Sequence, residues 1–323
     1  KGYTYTTSDG IYFDTSKFPA YPDFARLDVS GMQAGARVEI GEKKNPTDFA
    51  LWKFSPSDGM QREQEWDSPL GIARKGFPGW HLECSAMAMK YLGETIDIHT
   101  GGIDHIPVHH TNEIAQSECA TGKTFARYWM HSAFMNVDGL KMSKSLGNTY
   151  TLKDLAAHGI TPMGFRYWLL TASYRTQVNF TWEAVLGAQH AYEKLVKMLH
   201  ELPDEGTPDL GSVTEIFSSV VSDDLQTSAA IAQVWELMKN TAISPSDRKA
   251  TALTFDKVLG LRLDLAPEAE VIEITSELQA LLDARKQTRN EKDFASSDRL
   301  RDELARLGYG VKDTPEGQVL SKL

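Results

Sequence analysis

Residues 79–113 read GWHLECSAMAMKYLGETIDIHTGGIDHIPVHHTNE, and the changes of period along this stretch decide the fold class. From Cys84 to Leu92, small residues and methionines fit a helix. Ile96-Asp97-Ile98-His99 fits a short buried strand, and Thr111 to Thr121 fits a second helix. A further strand is predicted over Arg127 to Met135. Strands alternating with helices over this distance imply parallel crossover units of an α/β sheet, where ligands gather at the carboxyl ends of strands. His99 and the glycines after it fall at such an end.

The same stretch collects metal-ligand types. Cys84, His109 and Glu113 offer a thiolate, an imidazole and a carboxylate, donors that zinc accepts readily. His109 and Glu113 are four residues apart, which on a helix places them on one face. His110 is an alternative ligand, with a supporting contact its stronger reading. Three protein ligands leave a coordination position open, whereas structural zinc usually has four. A second constellation is His99-Thr100-Gly101-Gly102-Ile103-Asp104. Its glycines admit close backbone approach, its imidazole can stack on a base, and its carboxylate can accept from ribose hydroxyls. Taken alone, a glycine turn capped by Asp104 is the plainer reading. The third is Lys141-Met142-Ser143-Lys144-Ser145, followed by Leu146-Gly147-Asn148. Two lysines three apart in a serine-rich loop can clamp phosphate oxygens and stabilise a departing pyrophosphate.

On the N-terminal side, Tyr3 to Phe13 form a hairpin pattern around Ser8-Asp9-Gly10. Lys17 to Asn45 is irregular apart from an alternation at Ala36–Ile40, Asp48 to Phe54 reads as a strand, and Ser55 to Pro69 as a loop. On the C-terminal side the pattern is almost wholly helical. Apolar spacing of three and four marks Leu152–Ala157, Met163–Ala172, Trp182–Leu202, Val213–Val221, Thr227–Asn240, Ala250–Leu259 and Glu273–Leu307, the pattern of a helical bundle. Leu202 to Pro208, acidic and holding two prolines, is the linker candidate and a domain boundary. The chain ends as strand, turn, strand from Gly308 to Val319. Arg285, Lys286, Arg289 and Lys292 cluster where they could meet phosphates, or form a solvated helix face.

Composition sets the outer limits. With 323 residues, 41% hydrophobic and 24% charged, the chain can build two domains with sizeable cores. A net charge of −10 argues against indiscriminate nucleic-acid binding through basic patches, though not against local ones. Two cysteines, Cys84 and Cys119, make no disulfide framework. No run of about 18 apolar residues and no signal-peptide core occur, so a cytoplasmic protein with no membrane span is expected. The chain opens on Lys1 in what reads as the middle of a strand, and an N-terminal piece is expected to be missing.

KMSKSLGN resembles the second signature of class I aminoacyl-tRNA synthetases, and GWHLECSAM, DIHTGGIDH and HHTNEIAQSE resemble the cysteinyl-tRNA synthetase branch. The likeness covers nearly the whole chain. It implies an α/β fold: the second half of a class I Rossmann-type nucleotide-binding domain, then an all-α helical bundle and a small C-terminal element. The implied partition is 1–66 as a connective region leading back into the sheet, 67–150 with the zinc site and KMSKS loop, 151–202 as a helical stem-contact region, 203–307 as an anticodon-binding bundle, and 308–323 as the small element. It implies Zn2+ on Cys84, His109 and Glu113 plus one upstream cysteine that this sequence lacks. Trp80 would line the cysteine pocket, and His99, Gly101, Gly102 and Asp104 would face the adenylate. Lys144, assisted by Lys141, would contact ATP. The implied activity is that of a monomeric cysteine–tRNA ligase, joining L-cysteine to tRNA(Cys) with ATP and its Mg2+. A thiolate bonds zinc far better than a hydroxyl, so the metal would separate cysteine from serine without editing.

The chain departs from the family in more than the missing upstream cysteine: no His-x-Gly-His string occurs in it, and VHHTNE stands where the family has PHHENE. Two other readings follow, the related cysteine ligase of mycothiol synthesis, against which the long bundle argues, and a zinc-containing tRNA-binding remnant without activation chemistry. The expectation is that this polypeptide alone forms no cysteinyl adenylate. Cysteine-dependent ATP–pyrophosphate exchange by the purified chain should stay at background, and exchange above it would refute the expectation.

Overall fold

Aromatic and β-branched residues on alternate positions build the first sheet, whose strands all pair antiparallel. In a computed structural model that describes residues 1–28, 41–56, 63–265, 274–314 and 317–322, β1 (Thr4–Thr6) and β2 (Gly10–Phe13) form the hairpin expected around Ser8-Asp9-Gly10. Strands β3 (Phe49–Phe54), β4 (Trp66–Asp67) and β5 (Lys75–Pro78) complete the order β1-β2-β3-β5-β4. The alternation at 36–40 lies outside the described residues. The predicted Ser55–Pro69 loop contains β4, which is too short to show a period of its own.

Asp48 ties this sheet to the loops beside it. Its buried carboxylate accepts from the Thr15 N–H and hydroxyl, both at 2.8 Å, from the Tyr5 hydroxyl at 2.7 Å and from the Asn45 N–H at 3.0 Å. Burial pushes its pKa up, but the hydrogen bonds from Thr15, Tyr5 and Asn45 outweigh burial and hold it below the usual carboxylate value.

The chain leaves the sheet at Gly79, whose N–H donates to the Leu51 carbonyl at 2.8 Å. A Cβ here would lie 2.1 Å from the Ala50 carbonyl oxygen, so only glycine lets helix α1 (Trp80–Leu92) start this close to β3. Strand β6 (Ile96–Gly102) follows, then a π-helical turn, Ile106–His110, that runs directly into α2 (Thr111–Thr121), then β7 (Ala126–Ser132). β6 and β7 pair parallel from Ile96↔Ala126 to Gly102↔Ser132, which is the predicted crossover unit with α2 between its strands. Gly101 and Gly102 belong to the strand itself rather than to a turn after it. Ala115 of α2 packs on Phe13, Tyr21 and Phe49, joining this unit to the first sheet.

The strand predicted over Arg127–Met135 is two strands. The Ala133 N–H donates to the Tyr174 carbonyl at 2.8 Å, and the chain turns away into β8 (Met135–Val137). β8 pairs antiparallel with β9 (Leu140–Lys141) and parallel with β10 (Val178–Phe180). β10 escaped prediction because three residues between helical patterns carry no period.

Side-chain caps set most of the helix starts. Thr151, Thr161 and Thr181 accept N–H groups at the beginnings of α3 (Leu152–Ala157), α4 (Pro162–Leu170) and α5 (Trp182–His200). Helices α6 (Ser212–Ser222), α7 (Thr227–Lys239) and α8 (Pro245–Leu259) follow, and α8 begins five residues before the predicted Ala250 because Ser244 caps it and Pro245 fits its first turn. One core draws Tyr167, Leu195 and Leu199 from before the acidic linker and Phe217, Val234 and Phe255 from after it. The rings of Phe217 and Phe255 stack at 4.0 Å.

The predicted helix Glu273–Leu307 is broken. α9 (Ser276–Asn290) stops before Lys292, whose φ of 60° is left-handed, and Asp293 caps α10 (Phe294–Arg306). β11 (Tyr309–Thr314) and β12 (Gly317–Lys322) form an antiparallel hairpin against them. Arg285 is buried, with a bidentate pair to Asp313 at 2.9 and 3.0 Å, and Arg289 pairs with Asp313 at 3.3 Å. Half of the basic cluster read as a phosphate contact therefore anchors the hairpin.

Replacing Asp48 tests the first sheet. Asp48→Ala strands buried donors and should lower the unfolding free energy by about 2 kcal/mol in urea titrations. Because the folded pKa lies below the unfolded value, this carboxylate stabilises above roughly pH 3.9 and the term fades as pH falls through the folded value. Asp48→Asn should therefore show a shallower loss of stability below pH 4 than the parent.

Candidate functional site

Helix α1 and the π-helical turn with α2 meet at the carboxyl ends of β6 and β7. The first turns of α1 bring Trp80, His81 and Cys84, the π-helical turn and α2 bring His109, His110 and Glu113, and the strands bring His99 and His131. Because the π-helical turn continues into α2 without a break, His109 and Glu113 keep the one-face spacing expected from sequence.

Glu113 is the centre. Its side chain is fully buried. Oε2 lies 2.8 Å from His99 Nε2, 3.6 Å from His109 Nε2 and 3.9 Å from His110 Nε2. Oε1 has no hydrogen-bond partner among the described residues. Two donor sets share this carboxylate, Cys84/His109/Glu113 and His99/His110/Glu113, with the ligand atoms of each set within 4.8 Å of one another. A buried carboxylate oxygen without a donor, beside a thiol and imidazoles, suits a borderline-soft cation such as zinc.

Histidines form a cage around it. His81 Nδ1 meets His109 Nδ1 at 2.9 Å, and His110 Nδ1 meets His131 Nε2 at 2.8 Å. His105 packs against both His109 and His110 with ring centroids 5.1 Å away. Burial, followed by the charges of its histidine neighbours, pushes His110 down to about 3, and burial with His109 pushes His81 down to about 4. Burial also lowers His109 and His131, with His105, His99 and Arg175 adding to the effect on His131. Neutral imidazole is the metal-binding form, and this environment enforces it at pH 7. Burial, then the charges of Glu113 and Glu83, pushes the Cys84 thiol up, and a bound cation would act in the opposite direction.

The other predicted residues are placed as follows. Trp80 is 62% exposed, with its ring 4.6 Å from that of His109, so it forms an open wall beside the donor cluster. His99, read from sequence as a base or adenylate contact, meets Glu113. Asp104 is exposed and lies over Gly102, where a Cβ would come 2.4 Å from its Oδ1. In the KMSKS loop, Ser143 donates its N–H to Asn148 Oδ1 at 2.8 Å, and Asn148 Nδ2 donates to the Lys141 carbonyl at 3.2 Å. Lys141 and Lys144 are not buried and have no ion pair among the described residues. Asn148 thus shapes the loop while the lysines stay available. His81, His105 and His131 were not singled out from sequence. The available signal was spacing: His81 precedes Cys84 by three, His105 precedes His109 by four, and His131 stands opposite Gly101 once β6 and β7 are in register.

A cleft of about 560 Å³ opens next to Gly101, lined by Thr100, Met130 and Ser132 of β6 and β7 and by Tyr174, Leu225 and Thr227.

A parallel crossover unit with a donor cluster at its strand ends and a two-lysine serine loop after it is the arrangement of a class I tRNA synthetase. The family model described as tRNA synthetases class I (C) catalytic domain matches residues 1–190, and that of the cysteinyl-tRNA ligase anticodon binding domain matches residues 273–319. Cysteine–tRNA ligase 1 of Burkholderia lata is 48% identical over 321 residues, covering 99% of this chain and 67% of the relative. The cysteine–tRNA ligases of Opitutus terrae and Aquifex aeolicus are 43% and 40% identical, with 70% and 72% of their lengths covered. The chain belongs to the cysteine–tRNA ligase family and spans about two thirds of the length of these relatives.

Gly101 tests the packing of the cage. A Cβ there would lie 2.6 Å from His110 Cε1 and 2.7 Å from His105 Nδ1, so the rings must move. Gly101→Ala should cost about 1–3 kcal/mol of stability in denaturant titrations. It should also shift the imidazole resonances of His105 and His110.

Proposed function

We propose that this chain carries the cysteine-selecting and phosphate-clamping parts of a cysteine–tRNA ligase, which activates L-cysteine with ATP and transfers it to the 3′ end of tRNA(Cys). The observation that carries this is the buried Glu113 carboxylate, with Oε1 unpartnered among the described residues, beside Cys84 and His109 in a member of this family. In this reading Cys84, His109 and Glu113 hold Zn2+, which supplies a Lewis acid that prefers a thiolate to a hydroxyl. Residues 67–150 act as the second half of a Rossmann-type domain, 151–202 as the stem contact and 203–307 as the anticodon-binding bundle.

The chain's own residues then have separable tasks. Trp80 covers the open side of the donor cluster and excludes water from the substrate side chain. His81, through its ring contact with His109, fixes the orientation of that imidazole. Gly101 and Gly102 let the backbone of β6 approach an adenylate, with His99 and Asp104 beside it. Lys144, helped by Lys141, neutralises charge on the phosphate oxygens of ATP as pyrophosphate departs. Cysteine and serine are nearly equal in size, so shape alone would discriminate weakly, and a metal held by these residues would supply the difference.

Metal content tests this directly. The purified chain should bind about one equivalent of zinc, and Cys84→Ser and His109→Ala should each lower its affinity by about tenfold or more. With cobalt(II) in place of zinc, L-cysteine should add a thiolate-to-metal absorption band that L-serine does not. Unchanged zinc binding in both variants would refute the ligand assignment, and equal responses to cysteine and serine would refute the selectivity.

A further inference from the structure

The junction between α6 and α7 holds two successive residues, Asp224 and Leu225, at φ of 54° and 53°, and neither is glycine. Left-handed backbone at a leucine persists only where surrounding contacts hold it, and such strain concentrates at switches and positioning elements. Here the contacts come from the segment between α4 and β10, about fifty residues earlier. The Tyr174 hydroxyl donates to Asp224 Oδ1 at 2.6 Å, Arg175 Nε donates to Oδ2 at 2.5 Å, and Arg175 Nη2 donates to Oδ1 at 3.1 Å. The Thr227 hydroxyl adds a bond to the Ala172 carbonyl at 3.2 Å. The Arg175 and Asp224 side chains are 64% and 48% exposed, and an exposed ion pair adds little to stability. Its geometry, a carboxylate gripped by a guanidinium and a phenol, is better suited to fixing position.

What it positions is visible on both sides. Leu225 and Thr227 line the same cleft as Thr100, Gly101 and Ser132. The Tyr174 carbonyl accepts the Ala133 N–H, next to the last residue of β7, and two residues back His131 meets His110 in the cage around Glu113. An unbroken series of contacts thus runs from the α6–α7 junction of the helical half to the candidate site.

We infer that Asp224 is a positioning residue: gripped by Tyr174 and Arg175, it links occupancy of the helical half to the geometry of β7 and the cage. This rests on the proposal that the helical half holds tRNA(Cys). Spatial continuity alone does not establish coupling, so the test must measure the effect of one region on the other.

Hydrogen exchange read by mass spectrometry provides it, using the full chain with and without unmodified tRNA(Cys). In the unaltered chain, tRNA should slow exchange in α6–α8 and also change exchange over Met130–Ala133 by about fivefold or more. Asp224→Gly accepts the left-handed backbone without strain and removes the carboxylate, so the turn survives while the grip is lost. In this variant the protection of α6–α8 should persist and the change at Met130–Ala133 should disappear. Arg175→Lys, which can keep a single contact, should retain part of it, whereas a merely structural role would leave the tRNA-dependent difference intact. A difference at Met130–Ala133 that survives Asp224→Gly, or that is absent from the unaltered chain although α6–α8 are protected, overturns the inference. Failure of the unaltered chain to bind tRNA(Cys) at all overturns the functional proposal, and the inference with it.

Discussion

The Glu113 carboxylate is the constraint on which the rest of the site depends. It is fully buried, with one oxygen in contact with His99 and the other without a donor among the described residues. A buried anion must be compensated, and neutral imidazoles do so only in part. That incompleteness is what the proposed cation would make good, and the crowding of histidines belongs to the same compensation. Six of the nine in the chain, at 81, 99, 105, 109, 110 and 131, surround one carboxylate. Burial keeps several of them unprotonated, so the cage offers nitrogen lone pairs instead of competing positive charge. The backbone makes room for this at two glycines. Gly79 lets α1 start against β3, which sets Trp80, His81 and Cys84, and Gly101 leaves space for the rings of His105 and His110.

How much of this was legible in the sequence varied with the range of the interaction. The β6–α2–β7 crossover could be read because each element carries its own period. The break of β7 at Ala133 could not, because it depends on the carbonyl of Tyr174, forty-one residues later. Likewise α8 begins at a cap and a proline, local signals that outweighed an apolar pattern starting only at Ala250. The single helix read from Glu273 to Leu307 failed at Lys292 and Asp293, where a left-handed residue and a cap interrupt a pattern that remains amphipathic on both sides.

For the site, donor chemistry and helical spacing were enough to bring Cys84, His109 and Glu113 together. They were not enough to place His99, because strand-to-helix contacts have no signature in linear spacing. His131 is the clearest case. It becomes a neighbour of His110 only once β6 and β7 are in parallel register, with Gly101 opposite it.

Charge usage completes the picture. A chain with net charge −10 that is to engage a polyanion must keep some cations uncommitted. Its arginines are largely engaged within the fold: Arg285 and Arg289 with Asp313, Arg175 with Asp224, Arg166 with the Leu259 carbonyl and Arg248 with the Met238 carbonyl. These are uses in which a planar fork is held against fixed acceptors. Lys141 and Lys144 differ. They stand on a short loop shaped by Asn148 and Ser143, without acidic partners among the described residues. A lysine is a compact charge on a flexible stem, able to follow a phosphate as it moves, and tying it to a carboxylate would remove that ability. Arginine holds the framework together, and in the proposed reading Lys141 and Lys144 are left for the phosphates whose charge shifts during reaction.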